Sequence, residues 1–225
     1  MKKIIIFSGA GISAESGLKT FRDIDGLWEN YRIEDVATPK AWRKNRKVVL
    51  DFYNERRRQV VAAMPNPAHH ALVRLEEKFI VHIVTQNIDN LHERAGSTRV
   101  LHLHGEIMRA RSTVDPRMIY PLNGSELNEG DTCEKGSQLR PHIVWFGEPV
   151  PALSVATQIV SEADFFIVIG TSLNVYPAAD LINYTPADCE KYYVDPAAGS
   201  IPGYIIVKEL AGTGVAKLVD QLMKG

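Results

Sequence analysis

Apolar and polar positions along this chain alternate in blocks that read as strands and helices in turn. Residues 4–7 (IIIF) form a short apolar run that stops at Ser8. The segments 79–85 (FIVHIVT), 99–103, 164–169 (DFFIVI), 192–195 and 203–208 are runs of the same kind, rich in β-branched and aromatic residues. Continuous apolar runs of this length suit strands buried on both faces of a parallel sheet. Between them, 68–76, 151–163 and 215–223 read as helices. The alternation predicts an α/β fold: a Rossmann-like parallel sheet with helices on both faces. Two segments break it. Residues 31–74 place Val36, Ala41, Val48, Val49, Phe52, Val60 and Val61 at mixed helical spacing, interrupted by Pro39 and ended by Pro65-Asn66-Pro67, which reads as two or three helices. Between 107 and 138 regular periodicity disappears. Segments 31–74 and 106–142 are therefore expected to form a small inserted lobe. The sheet domain is left as 1–30, 75–105 and 143–225, with a ligand cleft between the two.

In open α/β sheets ligands bind beyond the carboxyl ends of strands, and the polar residues gather at those ends. Ser8 is followed by Gly9-Ala10-Gly11 and then a helix-like stretch, and Gly9-x-Gly11-x-x-Ala14 fits the alanine-ended dinucleotide fingerprint. An ordinary strand-to-helix turn has the same spacing. No second apolar strand ending in an acidic residue follows about 20 positions on; the chain gives Thr20-Phe21-Arg22-Asp23-Ile24-Asp25-Gly26-Leu27-Trp28 instead. That stretch predicts a nucleotide site with a long loop folded over it, and counts against a hydride-transfer dehydrogenase. The run 79–85 ends in Gln86-Asn87-Ile88-Asp89-Asn90, and 99–103 ends in His104-Gly105-Glu106. With an unperturbed pKa near 6.5, His104 is the histidine best placed for acid-base work; His69, His70 and His92 fall on helical stretches. Gly170-Thr171-Ser172 reads equally as a phosphate or ribose contact and as a turn with a helix cap. In 140–148 (RPHIVWFGE) the simpler reading is a buried strand, although an exposed edge there would pair with an extended peptide. In FYNERRRQV, Tyr53 and Arg56 share a helix face and could converge on one small anion, but from the residues alone a solvated basic face is the better reading.

Composition narrows the classes. The chain has 225 residues, 45% of them hydrophobic, and a formal net charge of -1, which argues against a nucleic-acid partner recruited by a strong basic field. No run approaches the roughly 18 apolar residues of a spanning helix, so no membrane partner is expected. Nor does the N-terminus read as a signal peptide, and a cytoplasmic monomer is expected. Cys133 and Cys189 are the two cysteines. Without a C-x-x-C, neither a disulfide framework nor a cysteine-built zinc site is indicated.

Taken in order, GAGIS, TFR, QNID, HG, VWFGE and GTS resemble the sirtuins, the NAD-dependent protein lysine deacylases, and the matching motifs span residues 4–223. The resemblance implies an inverted Rossmann-type NAD-binding domain plus a small lobe, with NAD and acyl-lysine entering the cleft from opposite sides. It places Gly9, Ala10, Gly11, Ser13 and Glu15 around the NAD phosphates, and Phe21, Arg22 and Trp28 on the cofactor loop. Gln86, Asn87, Ile88 and Asp89 would line the nicotinamide end, and Gly170, Thr171 and Ser172 the ribose and phosphate side. Tyr193, Val194, Asp195 and Ala211 would be further cofactor contacts. His104 matches the catalytic histidine, acting as general base on a ribose hydroxyl. Val144, Phe146 and Gly147 match the strand that pairs with the substrate peptide. The implied products are free lysine, nicotinamide and O-acyl-ADP-ribose.

The resemblance also reverses the reading of the basic helix. FYNERRRQV looks like the segment with which one sirtuin subgroup removes acidic acyl groups, so Tyr53 and Arg56 would grip the far carboxylate of succinyl, malonyl or glutaryl lysine. Partners are then acylated lysine side chains of proteins. A general deacetylase and a mono-ADP-ribosyltransferase are the alternatives, with a non-catalytic NAD-binding module further off. One departure stands out. Most sirtuins hold a structural zinc with two C-x-x-C pairs, but here Ser112, Asp115, Cys133 and Gly136 occupy the corresponding positions. Zinc is expected to be absent.

Overall fold

The computed structural model describes residues 1–19, 27–28 and 31–224. Its strands and helices, in chain order, are β1 (Lys3–Ser8), β2 (Leu27–Trp28), β3 (Tyr31–Arg32), α1 (Ile33–Val36), α2 (Pro39–Lys44), α3 (Arg46–Ala62), α4 (Pro67–Arg74), β4 (Ile80–Thr85), α5 (Leu91–Ala95), β5 (Val100–His102), β6 (Gly105–Ser112), β7 (Ile119–Pro121), β8 (Leu139–Ile143), α6 (Leu153–Val160), β9 (Phe165–Ile169), β10 (Glu190–Val194), β11 (Tyr204–Val207) and α7 (Ala211–Lys224). The apolar runs become a six-stranded sheet in the order β11-β10-β9-β1-β4-β5, with every neighbouring pair parallel. Successive side chains of β1 point to opposite faces. Ile4 and Ile6 pack with α4 and α7, and Ile5 and Phe7 with α6 and the 3-10 turns of Ala178–Tyr184. All four are at most 1% exposed, and burying each stabilises by roughly 1.5–3 kcal/mol.

Because β4 and β9 flank β1 on its two sides, chain order reverses there. The loops leaving β1, β4, β9 and β10 open on one crevice, as the switch-point rule requires.

The strand missing after the first turn is supplied by β4, reached only after the chain has built a second layer. In that layer α1, α2 and α3 pack on an antiparallel sheet of order β7-β6-β8 around Trp42, Phe52, Tyr53, Ile107 and Trp145. Caps set its helices. Thr38 Oγ1 accepts from Ala41 N at 3.0 Å with Pro39 in the first turn of α2, and Asn45 Oδ1 accepts from Val48 N at 3.2 Å to open α3.

Three elements differ from the sequence reading. Helix α4 packs against α7 and joins the core of the parallel sheet through Ala68, Ala71 and Leu72, so residues 67–74 belong to the sheet's helical layer. Strand β6 lies where periodicity fades, because a register shift between Gly105 and Ala110 changes which residues face inward. Gly105 and Ile107 are buried, then Ala110 and Ser112, which breaks period two. Finally, residues 10–16 after the glycine turn coil as 3-10 turns ended by Gly17 at φ 85°, not as an α-helix.

Candidate active site

The crevice is a cavity of about 680 Å³ running from the sheet's strand ends to the smaller layer. Its sheet side carries Gly9, Ala10, Gly11, Ser13, Gln86, Asn87, Ile88, Asp89, Gly170, Thr171, Ser172, Val194, Asp195 and Ala211. The other side carries His104, Tyr53, Arg56, Val144, Phe146 and Gly147. Residues scattered over 200 positions of sequence thus converge on one space. Two others stand back from it. Glu15 accepts from Gly212 N at 2.6 Å and so caps the start of α7, and Tyr193 is buried behind the crevice, its hydroxyl donating to Thr171 O at 2.7 Å. Phe21 and Arg22 lie outside the described residues, as does the Trp28 side chain.

The glycine turn is held by its own close packing. Gly9 N donates to Ile169 O at 2.9 Å and Gly11 N to Gly170 O at 2.8 Å. A Cβ on Gly9 would come within 2.6 Å of Thr171 Cβ, and one on Gly11 within 2.7 Å of Gly170 Cα. The N-H groups of Gly9 and Gly11 are thus taken by the loop after β9. Their glycine character serves the contact between the loops after β1 and β9.

At the floor of the crevice, Asn87 Nδ2 donates to Gly9 O at 3.2 Å and lies 3.3 Å from Ser13 Oγ, while Asn87 N donates to Thr85 Oγ1 at 3.1 Å. Asp89 accepts from Ser13 Oγ at 3.1 Å and from Leu91 N at 3.1 Å. Burial raises the Asp89 pKa even against these bonds. His104 Nδ1 donates to Gln86 O at 3.0 Å, which fixes the tautomer and leaves the lone pair on Nε2. Burial outweighs that bond and keeps the His104 pKa below its ordinary value, so the ring is neutral at pH 7.

On the far wall, Tyr53 is fully buried and its hydroxyl accepts from Trp145 Nε1 at 3.0 Å, leaving the phenol proton to donate. Arg56 reaches Gln59 Oε1 at 3.1 Å and Lys19 O at 3.0 Å. Leu18, Ile33, Ala37 and Val60 complete an apolar sleeve around this pair; nothing in their ordinary apolar spacing marked them. Trp145 and Glu148 were likewise not singled out as site residues. Glu148 accepts from Arg140 at 2.7 and 3.0 Å, from Arg111 at 3.1 Å and from Trp145 N at 2.9 Å. This knot fixes the 144–147 segment. Val144 N and Phe146 N donate to His104 O and Ala37 O at 2.9 and 3.0 Å, and the Phe146 ring is left about half exposed.

The Sir2 family profile matches residues 9–177. The chain belongs to the Sir2 family. It is 57% identical over 198 residues to an NAD-dependent protein deacylase of Helicobacter pylori, covering 88% of this chain and 86% of that one. Among solved structures it resembles a Sir2 homolog bound to NAD, at TM-score 0.89 and 38% identity over 99% of this chain and 90% of the other. It also resembles a Sir2 protein bound to a myristoylated histone peptide, at TM-score 0.76 and 32% identity over 99% and 92% of the two chains. The solvent-open cavity, with hydrogen-bonding groups at four strand ends, fits a dinucleotide such as NAD.

The four positions at which a zinc site is expected to be lost, Ser112, Asp115, Cys133 and Gly136, are engaged otherwise. Cys133 Sγ donates to Ser112 Oγ at 3.4 Å, and Ser112 Oγ also accepts from Val114 N at 3.2 Å and Asp115 N at 3.3 Å. The Asp115 carboxylate is taken by Arg117 at 3.0 Å and Lys135 at 3.2 Å, and Gly136 offers no side chain. A single thiol with a hydroxyl and a paired carboxylate does not fit a tetrahedral thiolate site. Among the described residues no cluster of three or more His, Cys, Asp or Glu is arranged to hold a metal.

Proposed function

We propose that this Sir2 protein is an NAD-dependent protein-lysine deacylase whose cleft favours acyl groups ending in a carboxylate. Deacylation itself follows from family membership and from relatives at up to 57% identity over most of both chains. When bound, NAD would supply the electrophilic ribose carbon that accepts the acyl oxygen as nicotinamide leaves, and water would complete the release of free lysine and O-acyl-ADP-ribose. The neutral His104, its tautomer set by Gln86 O, takes a proton from a ribose hydroxyl at Nε2, and burial, by lowering its pKa, keeps the ring in the unprotonated form that the transfer needs. Asn87 and Asp89, pinned to Gly9 O and Ser13, shape the nicotinamide end. A substrate peptide lies along 144–147, where the N-H groups of Val144 and Phe146 are already taken, so it pairs through carbonyl oxygens.

The observation behind the acyl preference is the placing of Tyr53 and Arg56 together in the wall of the cavity that also holds His104. A buried carboxylate needs a cation and a donor to offset its desolvation, and this pair has one of each inside an apolar sleeve. Acetyl would bring nothing to meet the guanidinium.

The test is turnover of matched acetyl-, malonyl- and succinyl-lysine peptides by wild type, Tyr53→Phe, Arg56→Met and His104→Ala. Succinyl or malonyl should lead, and Arg56→Met should cut kcat/KM on them by roughly 30-fold or more, about 2 kcal/mol, while sparing residual deacetylation. His104→Ala should lose roughly 100-fold or more on every substrate. Preference for acetyl, unmoved by Arg56→Met, would overturn the acyl assignment. A cytoplasmic monomer remains our reading of the assembly, which sedimentation of the purified chain checks.

A further inference from the structure

His102 and His104 stand two residues apart between β5 and β6, yet their surroundings hold them in opposite charge states. His104 faces one acceptor, Gln86 O. His102 faces two: Nδ1 lies 2.8 Å from Asn87 O, and Nε2 lies 2.7 Å from Glu93 Oε1 on α5, with the side chain 7% exposed. A carbonyl and a carboxylate can only accept, so both ring nitrogens carry protons and the ring is an imidazolium. The two histidines thereby grip successive carbonyls, Gln86 O and Asn87 O, of the loop that carries the crevice floor.

We propose that His102, kept as an imidazolium by Glu93, is a positioning residue for NAD turnover: it fixes the Asn87 carbonyl and, through it, the 87–89 segment beside His104. This rests on the crevice being the NAD site. Without that grip, Asn87 is still tethered by its side chain and N-H, so the loop stays folded but its peptide planes gain freedom, and small misplacements at a reacting centre are costly.

The charges around the ring agree with the geometry. Burial opposes the charged form, but the Glu93 bond and charge, the Asn87 carbonyl and Glu106 on β6 outweigh it, and the His102 pKa is raised. Burial raises the Asp89 pKa, and the charge of His102 is one of the smaller effects acting against that rise. His92 on α5 and His142 on β8 face His102 as neutral rings whose pKa values are held down, chiefly by burial and in part by His102. Arg109 steadies Glu93 electrostatically and pairs with Glu106 at 3.1 Å. The signs follow. His104 must be unprotonated, so activity falls in acid; on deprotonation His102 keeps its remaining proton on Nε2 against the Glu93 carboxylate and loses the Nδ1 donor to Asn87 O, so the handling of NAD falls as pH rises through its raised pKa.

The experiment combines histidine NMR titration of the whole chain with the pH dependence of kcat and of kcat/KM for NAD, in wild type, Glu93→Gln and His102→Asn. In wild type His102 should titrate above 6.5 and His104 below it. Glu93→Gln retains a hydrogen-bond partner without the charge. It should raise KM for NAD roughly 5- to 10-fold and move the alkaline limb down by about 1 pH unit, with kcat less affected. His102→Asn offers an uncharged amide donor to Asn87 O, and should recover KM to within roughly 2-fold of wild type while abolishing that alkaline limb. A His102 resonance titrating below 6.5, or an alkaline limb and KM unmoved by Glu93→Gln, would overturn the proposal. Wild-type protein that shows no NAD turnover would instead sink the deacylase reading, and the titration of His102 would still report on the imidazolium by itself.

Discussion

Arg57 is the side chain whose loss should tell most about how the smaller layer holds together. It is 0% exposed, next in sequence to Arg56 but turned away from the cleft. Its guanidinium donates to Ile107 O on β6 at 2.8 Å, to Asn54 Oδ1 at 2.7 Å and to Ser125 O at 2.8 Å. Asn54 in turn donates to Leu127 O at 3.1 Å and accepts from Leu127 N at 3.0 Å. These bonds tie α3 to β6 and to the 125–127 segment. Arg57→Met keeps the length of the side chain and removes every donor. Three charge-assisted bonds at about 1.5–3 kcal/mol each are lost. Against that, the charge no longer has to be buried; burial pushes the Arg57 pKa down to about 10, so removing it returns roughly 3 kcal/mol. The net destabilisation is about 1.5–6 kcal/mol, or a fall in Tm of roughly 3–24 °C for a chain of this length. Calorimetry measures the fall, and hydrogen exchange should show it concentrated in 105–127. Because α3 also carries Tyr53 and Arg56, the acyl preference should weaken in parallel. A Tm within about 2 °C of wild type would refute the reasoning, and would mean that burying the cation costs as much as its bonds return.

Gly105→Ala should abolish activity and most soluble yield, since the glycine has φ +83° and a Cβ would sit 2.0 Å from His142 O, directly beside His104; normal turnover by this variant would contradict that. Metal analysis of purified protein should find no stoichiometric zinc, and a chelator should leave Tm unchanged; about one tightly held zinc per chain would refute the account of Ser112, Asp115, Cys133 and Gly136. His69 and His92 pack edge to face, 5.0 Å between centroids, and burial lowers the pKa of His69 to about 4 and that of His92 well below normal. The unfolded chain therefore binds more protons below pH 6.5. Stability should fall as pH drops from about 6.5 toward 4, by roughly 3 kcal/mol from His69 alone, and a Tm flat across that range would show the pair is not neutral in the folded chain.

Much of the architecture was legible because its strands are buried on both faces: IIIF, FIVHIVT and DFFIVI can hardly be anything but interior parallel strands, and polar residues after such strands lie at the sheet's ligand edge. Hence Gly9, Gln86, Asn87, His104 and Thr171 could be named from order and spacing. The charge state of a histidine could not. His102 and His104 look alike in LHLHG, and only the arrival of Glu93 from α5 and of Asn87 O from the next loop separates a clamped cation from a neutral base. From the residues alone Tyr53 and Arg56 read as surface and only the resemblance moves them to a pocket; the fold is what turns that helix face into the cleft, with Trp145, 92 residues away, supplying the hydrogen bond that orients the phenol. The bulge in β6 hid a strand by shifting its parity, and the two glycines of the first turn proved to serve the packing of one loop on another. Sequence fixes what is decided by local periodicity and by residue type. Contacts between residues far apart in the chain set protonation, orientation and close approach, because those depend on which groups the fold brings within a few ångströms.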